Sequence, residues 1–554
     1  MKRKVALSVI STLLIVGSLN AQKSLKEVYY DPAGKAKITN LKEVQIDEAK
    51  NEMRLYFLTK STLKKIKAEV LTFDLDFNLK NAENIEEDYE LIKEKYKLKF
   101  SLDLCPESKE PLLTVEPNMS GQVVFKKGYI NRYYNWDTGL CDDRFKVEER
   151  VKPKGDEGEK IKLVNYWTNN TIETYTRSIS FNVYNARQAN GAAALNTLLY
   201  GGNKQVMSGN QGTVVFLGLV AGGIKDAKNW GKTYTFQKFD VNKLEKVNEV
   251  PLTFDVQAAP IFHKILSNGN IAYIFHRADN QLEYLEVDYD GNTQRRFQKP
   301  APIDATWVID DLVELEDGSM IAVGVLSKSK FTKSIGSFVY TPHNNASYLS
   351  PHATKPQGFQ VMKISNKQID WISVVKAEEF KSKFVAIPQD KKGKPYAGGA
   401  LSIGDIYQAK SGHILVTGQK KKIGKKVTMG EMVCFYFDSQ GQLLSNFATI
   451  MRDKNKYNMY QPSNHSLLNS PTTKDVYWII YEVAGMKAYR SLFYPRIARI
   501  KEGGKSAEPF VEFGGKKAFL DDKFPINYVN DKTYIFIGSN RNGKELWFNK
   551  VEFE

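Results

Sequence analysis

Six histidines, one tight acidic cluster and three cysteines are the groups in this 554-residue chain whose chemistry needs explaining first. His263 and His276 flank one alternating apolar segment and are placed to lie diagonally on one face of a hairpin. Two imidazoles can begin a metal site, but a structural zinc takes about four ligands. No cysteine or carboxylate is placed in the sequence to join them, so they read as core or surface histidines. His343 and His352 lie in a polar stretch, His413 falls in a hairpin turn, and His465 precedes an apolar segment. Asp288, Asp290, Gly291 and Asn292 superficially match the start of a calcium loop. Such a loop runs about twelve residues and ends on a bidentate glutamate. Here Arg295 and Arg296 follow instead, so a hairpin turn is expected. Asp310, Asp311, Glu314, Glu316 and Asp317 crowd one strand and its turn. Glycoside hydrolysis needs two carboxylates on opposite sides of a sugar. Alternation along a strand sends these five to both faces, so they do not form such a pair. No nucleophile elbow, zinc-protease helix or phosphate loop occurs. The sequence therefore assigns no catalytic residue, no cofactor and no metal ligand.

The cysteines say little about scaffold. Cys105 and Cys141 lie in an irregular region and could pair as a disulfide in an oxidising compartment. Cys434 sits inside the apolar run 432–437 and reads as a buried strand residue. An odd count leaves one thiol over, so stability must come from packing.

The elements that would position these groups are strands. Aromatic residues make up 12% of the chain, with 29 Tyr and 30 Phe, which suits pleated surfaces. Alternating segments recur that end in an acidic or polar turn, near Asp76, Glu148, Asp240, Asp288, Ser365, Asp438, Lys501 and Glu552. Before most of them lies a second hairpin, turning at Asn268 and Gly269, at Asp317 and Gly318, at Ser411 and Gly412, or at Asn530 and Asp531. Glycines close several return strands, among them Gly218, Gly324, Gly418 and Gly538; they suit strands leaving a crowded centre. Helical periodicity is confined to 86–97 and 192–199. Two hairpins make a four-stranded antiparallel unit, and such units strung together without intervening helices resemble β-propeller blades. The resemblance covers the chain from about residue 47 to the end and is one of architecture. It carries no WD dipeptide, kelch double glycine or sialidase-type Asp box.

The expected fold is thus all-β, a propeller of seven or eight blades. The final unit lacks a strand, which the N-terminal region would supply through residues 27–30 or 44–46. A pair of β-sandwiches is the competing fold, but no mid-chain linker marks it. Uneven spacing predicts insertions near 152–210, 328–358 and 383–399. Binding surfaces are often built from such loops. The first insertion, with Tyr166, Trp167, Leu195, Leu198, Leu199 and Tyr200, is the expected partner contact; the third, rich in lysine, reads as a spacer.

Residues 1–21 read as a secretory signal: Lys2, Arg3 and Lys4, then an apolar run, then small residues before Gln22. Residues 22–554 would then form a single domain. No cysteine follows the apolar run to carry a lipid, and no later segment is long and apolar enough to span a bilayer. The formal charge of +16 would suggest nucleic acid in a cytosolic protein, but an exported chain rarely meets it. The expectation is a periplasmic or extracellular protein, peripheral to the membrane, that binds an outer-membrane or periplasmic protein complex. The signal ending and the Lys/Asn/Tyr-rich composition look like envelope proteins of bacteria with type 9 secretion. That resemblance implies an accessory or plug subunit of a secretion translocon. The alternative is a carbohydrate-binding or carbohydrate-cleaving propeller, with Trp136, Trp167, Trp230, Trp307 and Trp371 available to stack on sugars.

Overall fold

The computed structural model describes residues 22–61, 65–88, 98–104, 111–117, 129–130, 134–135, 140–141, 147–148, 207–209, 213–219, 231–240, 245–288, 290–327, 330–332, 357–390, 392–422, 428–452, 462–487 and 490–554. Five separate four-stranded antiparallel sheets run in strict sequence order. Sheet A comprises Leu41–Asp47, Glu52–Ser61, Lys65–Phe73 and Leu79–Asp88. Sheet B begins with the short strand Met207–Gly209 and ends with Glu245–Thr253. Sheet C comprises Ala258–Ile265, Ile271–Arg277, Gln281–Val287 and Thr293–Pro300. Sheet D comprises Trp307–Glu314, Met320–Leu326, Gly358–Ile364 and Ile369–Lys376. Sheet E comprises Ala400–Gln408, Ile414–Lys422, Thr428–Phe437 and Leu443–Thr449. A nine-stranded sheet follows, made of two meanders bridged by Ala518–Leu520. Meander F holds Asn464–Asn469, Val476–Lys487 and Arg490–Ile500; meander G holds Ile526–Tyr528, Thr533–Asn540 and Leu546–Phe553. The N-terminal strand Gln22–Tyr30 pairs antiparallel with Leu546–Phe553 at the edge of G. Two-stranded pairs occupy part of 98–148.

The apolar core is divided into layers between successive sheets. Tyr234 and Phe236 of B meet Tyr273 and Phe275 of C. Ile274 of C meets Leu312 and Met362 of D; Val323 of D meets Val416 and Phe435 of E; Cys434 of E meets Trp478 of F; Ile479 of F meets Phe536 of G. Ile537 and Phe548 of G then meet Leu55 and Phe73 of A. Middle strands must therefore be apolar on both faces, and Ile271–Arg277 and Met320–Leu326 are buried along their whole length. Outer strands alternate, as in Thr293–Pro300. Two independent sandwich cores do not describe this succession.

The first strands gather at the inside: those of C, D, E and F lie each beside the next, and that of A lies beside that of G. Like ends also meet. Ser267 in the first turn of C donates to Glu314 beside the first turn of D, and Lys410 in the first turn of E donates to Asn469 and Ser470 beside that of F. Four-stranded meanders stacked face to face around shared inner strands are a β-propeller arrangement.

Residues 86–88, expected to begin a helix, instead end the fourth strand of A, where Glu86 reaches Lys67 across the ladder. The cross-strand ion pair and the neighbouring strand outweigh the weak helical periodicity there.

Candidate functional site

Antiparallel meanders give the molecule two unlike ends. At one end sheets A, C, D and E make their first-to-second and third-to-fourth turns, and these are short. Leu266 donates to Asn270 and Gly269 donates back to Leu266; Leu315 and Gly318, and Ala409 and Gly412, repeat the pattern. Asp74 with Phe77, Asp288 with Gly291, and Asp438 with Gly441 repeat it in the second turn. The last loop residue has positive φ each time, including the non-glycines Asn51 and Phe77. In the second turn the aspartate organises the loop. Asp288 Oδ1 accepts the amides of Asp290 and Asn292 at 2.9 Å, and its Oδ2 accepts from Asn292 and Gln294. Asp74 does the same with Asp76 and Asn78. Partial burial opposes ionisation, but these donors prevail and hold both carboxyls below the usual range. These bonds make each aspartate part of its own turn, the hairpin turn expected from sequence.

The other end carries the connections between sheets and between second and third strands. Here chain segments differ from sheet to sheet, and buried polar side chains fasten them. Glu69 of A accepts the amides of Lys35 and Ala36. Gln419 of E accepts the amide of Ser463 at 2.8 Å and donates to Gly430. Arg496 of F is fully buried; it pairs with buried Glu482 at 2.8 Å and reaches Asp390, Thr449 and the Ile450 carbonyl. Arg277 of C binds Asp255 and Asp279 in two connections and Glu283 beside it. Each of these buried charges thus has an opposite charge or a hydrogen-bond partner beside it, as buried charge requires.

The inner strands carry a second repeat. Those of A, C, D and E have a bulge at a matching place, between Leu41 and Glu43, Pro260 and Phe262, Ile309 and Asp311, and Ile403 and Asp405. Across from two of these bulges stand Gly324 and Gly418. A Cβ on Gly324 would lie 1.8 Å from the Val308 carbonyl oxygen, and one on Gly418 2.7 Å from that of Ser402. The glycines thus serve close approach of the bulged first strand, a more specific reason than strand exit.

Asp310 is the bulged residue of D. Its Oδ2 is shielded from solvent and holds no hydrogen bond. Burial pushes this carboxyl up to about 7, with Lys421 opposing the shift and Asp311 adding to it. Burial likewise lifts Asp405 to about 6, against the Leu467 amide that donates to it at 2.8 Å. The rest of the acidic cluster disperses: Glu314 caps Ser267, Asp317 caps Ser319, and Glu316 is exposed. The aromatic partners for a sugar are elsewhere. Trp307 is a core residue, and Trp371 donates to the Ser439 carbonyl at the turn end. Trp136, Trp167 and Trp230 lie outside the described residues.

The histidines do not converge. His263 faces Tyr273 and His276 faces Ala259, at separate places on the ladder. His276 stacks on Phe331 at 3.7 Å, bonds Asn280, and is drawn down to about 4 by burial. His465 accepts from the Trp478 indole and burial draws it to about 3. Among the described residues no three His, Cys, Asp or Glu gather as a metal site. Cys434 is buried and unpaired. Cys141 lies in the two-residue strand Leu140–Cys141. Cys105, and the expected contact residues Tyr166, Trp167, Leu195, Leu198, Leu199 and Tyr200, lie outside the described residues, as do His343 and His352.

The third insertion is not a loose spacer. The helix Ala377–Ser382 and the segment after it cross the connection end of sheet E as a strap. Phe380 and Tyr396 enter the core between D and E, and Ile387 the core between E and F. Asn446 of sheet E accepts the Val385 amide and donates to the Lys383 carbonyl, and Gly393 sits so close to the Ala448 carbonyl that a Cβ would lie 2.0 Å from it. Alternation of apolar residues with lysines in 383–399 was the available signal. The count of lysines obscured it.

No family model and no curated protein matches the chain. Among solved structures it is similar to the β-propeller domain of the Trilobed protease from Pyrococcus furiosus, at 8% identity over 93% of this chain and 95% of that one, TM-score 0.24. An apocarotenoid oxygenase of Synechocystis matches at 10% identity over 80% and 81%, TM-score 0.28. The WD40 domain of SCAP from fission yeast matches at 9% over 96% and 98%, TM-score 0.19. At such scores nothing of those proteins' sites or activities transfers to this one.

Proposed function

We propose that this chain is an exported, non-enzymatic binding or scaffolding subunit of a bacterial envelope. Residues 1–21 act as a cleavable signal, and the remainder forms one closed propeller of seven or eight blades, completed by the strand Gln22–Tyr30. It works outside the inner membrane, and no described helix is long and apolar enough to cross a bilayer. Its partner is an outer-membrane protein assembly; the specific case is a secretion translocon of the type 9 kind, with this chain as plug or accessory subunit.

The observation that supports this reading is the contrast between the two ends. One is a set of near-identical short turns. The other carries connections that differ in length and course from sheet to sheet, and loops on a rigid frame are where scaffolds commonly present binding surfaces. Buried charged groups at that end, such as Arg496 and Glu482, hold connections in place.

The test is recovery of the tagged protein from detergent-solubilised envelope. Stoichiometric retention of an outer-membrane protein, lost when residues 152–206 are replaced by a short linker, is the expected result. A monomer that binds or cleaves glycans would sink the proposal and leave the carbohydrate alternative standing.

A further inference from the structure

Two lysine-rich stretches far apart in sequence meet at the connection end of sheet E. Lys420 is the hinge between them: its Nζ donates to the carbonyls of Lys394 and Pro395 at 3.4 and 3.0 Å, and it lies 3.6 Å from Glu431. Strand pairing sets Lys421 opposite Ala400, where the strap enters the sheet, and Lys422 opposite Thr428. Lys392, Lys394 and Lys422 are exposed and Lys421 is half-buried. Among the described residues no carboxylate lies within ion-pair distance of these four. Burial, with the charge of Lys394 adding to it, depresses the Lys420 ammonium, while Glu431 opposes the shift. Like charges are therefore held close by the fold, at a place where the strap is fixed by Tyr396 inside and Gly393 against the sheet.

We propose that this lysine patch docks the protein on a membrane surface bearing anionic phosphate head groups. The side-chain chemistry selects that partner. Residues 383–426 contain no arginine. Arginine suits fixed, bidentate recognition of a single carboxylate or phosphate, whereas lysine is a compact, hydrated point charge. A cluster of lysines on an exposed rim fits a diffuse field of many phosphates, where each contributes additively near the surface. The choice of a lipid surface rests on the export proposed above; the patch itself does not.

The test uses the purified protein and vesicles of phosphatidylcholine with and without phosphatidylglycerol, read by co-flotation at low and physiological salt. Binding should require the anionic lipid and weaken as salt shortens the Debye length to about 8 Å. The triple variant K392Q/K394Q/K422Q should lose binding on the order of a hundredfold, about fivefold per lysine. K367Q/K505Q/K532Q removes the same charge from exposed positions at the turn end and should retain most of it. None of the six holds a side-chain bond among the described residues, so folding is expected to survive in both variants, and a melting curve verifies it. Equal losses in the two variants would show attraction by net charge alone and overturn the proposal. So would absence of binding to phosphatidylglycerol vesicles, or binding to soluble polyglutamate in their place. Vesicle binding does not depend on where a cell delivers the chain, so failure of the envelope pull-down would leave this result readable.

Discussion

The turn end and the connection end are made from the same sheets by opposite means. At the turn end one solution recurs in most of the described turns: a short loop, a last residue at positive φ, and often an aspartate that caps its own loop. Everything the turn needs lies within five residues, so the pattern survives repetition and can be read locally. At the connection end no two solutions agree. Glu69, Gln419 and Arg496 come from different sheets and fasten different segments, by different bonds, to groups as far as 106 residues away. Local chemistry repeats because the hairpin geometry repeats. Long-range chemistry varies because each connection has its own length to accommodate.

The largest effect should come from breaking a buried fastening. Arg496→Met leaves Glu482 and Asp390 without their cation and should destabilise the fold by about 3–5 kcal/mol, measured by urea denaturation. If the loss were no greater than for a turn variant, the two ends would not differ in the way described. Next is the inner bulge. Gly324→Ala drives a methyl into the Val308 carbonyl and should cost about 1–3 kcal/mol in the same assay.

The inner bulges and the turn end also separate by pH. Asp310 and Asp405 have raised folded values, about 7 and about 6 against about 3.9 unfolded, so their contribution is fully present below pH 4 and lost as pH rises through 6 to 7. Asp310→Asn should therefore be more stable than the parent at pH 8, by up to about 4 kcal/mol, and equal to it near pH 4. A denaturation midpoint that moves in parallel with the parent at every pH would refute this. Asp74 and Asp288 have lowered folded values, so their contribution is present above about pH 4 and lost as pH falls further. The smallest effect is then Asp288→Ala, about 1 kcal/mol at neutral pH and vanishing in acid, seen as a shift in melting temperature.

Sequence alone determined the units of this fold. Alternation, together with Asn268–Gly269, Asp288–Gly291 and Asp438–Gly441, specified hairpins and their turns, because side-chain period and turn dihedrals are set by residues next to one another. The same locality placed Asp288 in a hairpin turn. Tertiary structure alone decided the rest. It placed Asp310 on a bulge, gave Gly324 and Gly418 their reason, and made a packed strap of 383–399 with its lysines beside Lys420, Lys421 and Lys422. Each of these depends on which backbone lies across from a residue. That is settled by the stacking of whole sheets, and a one-dimensional pattern carries no record of it.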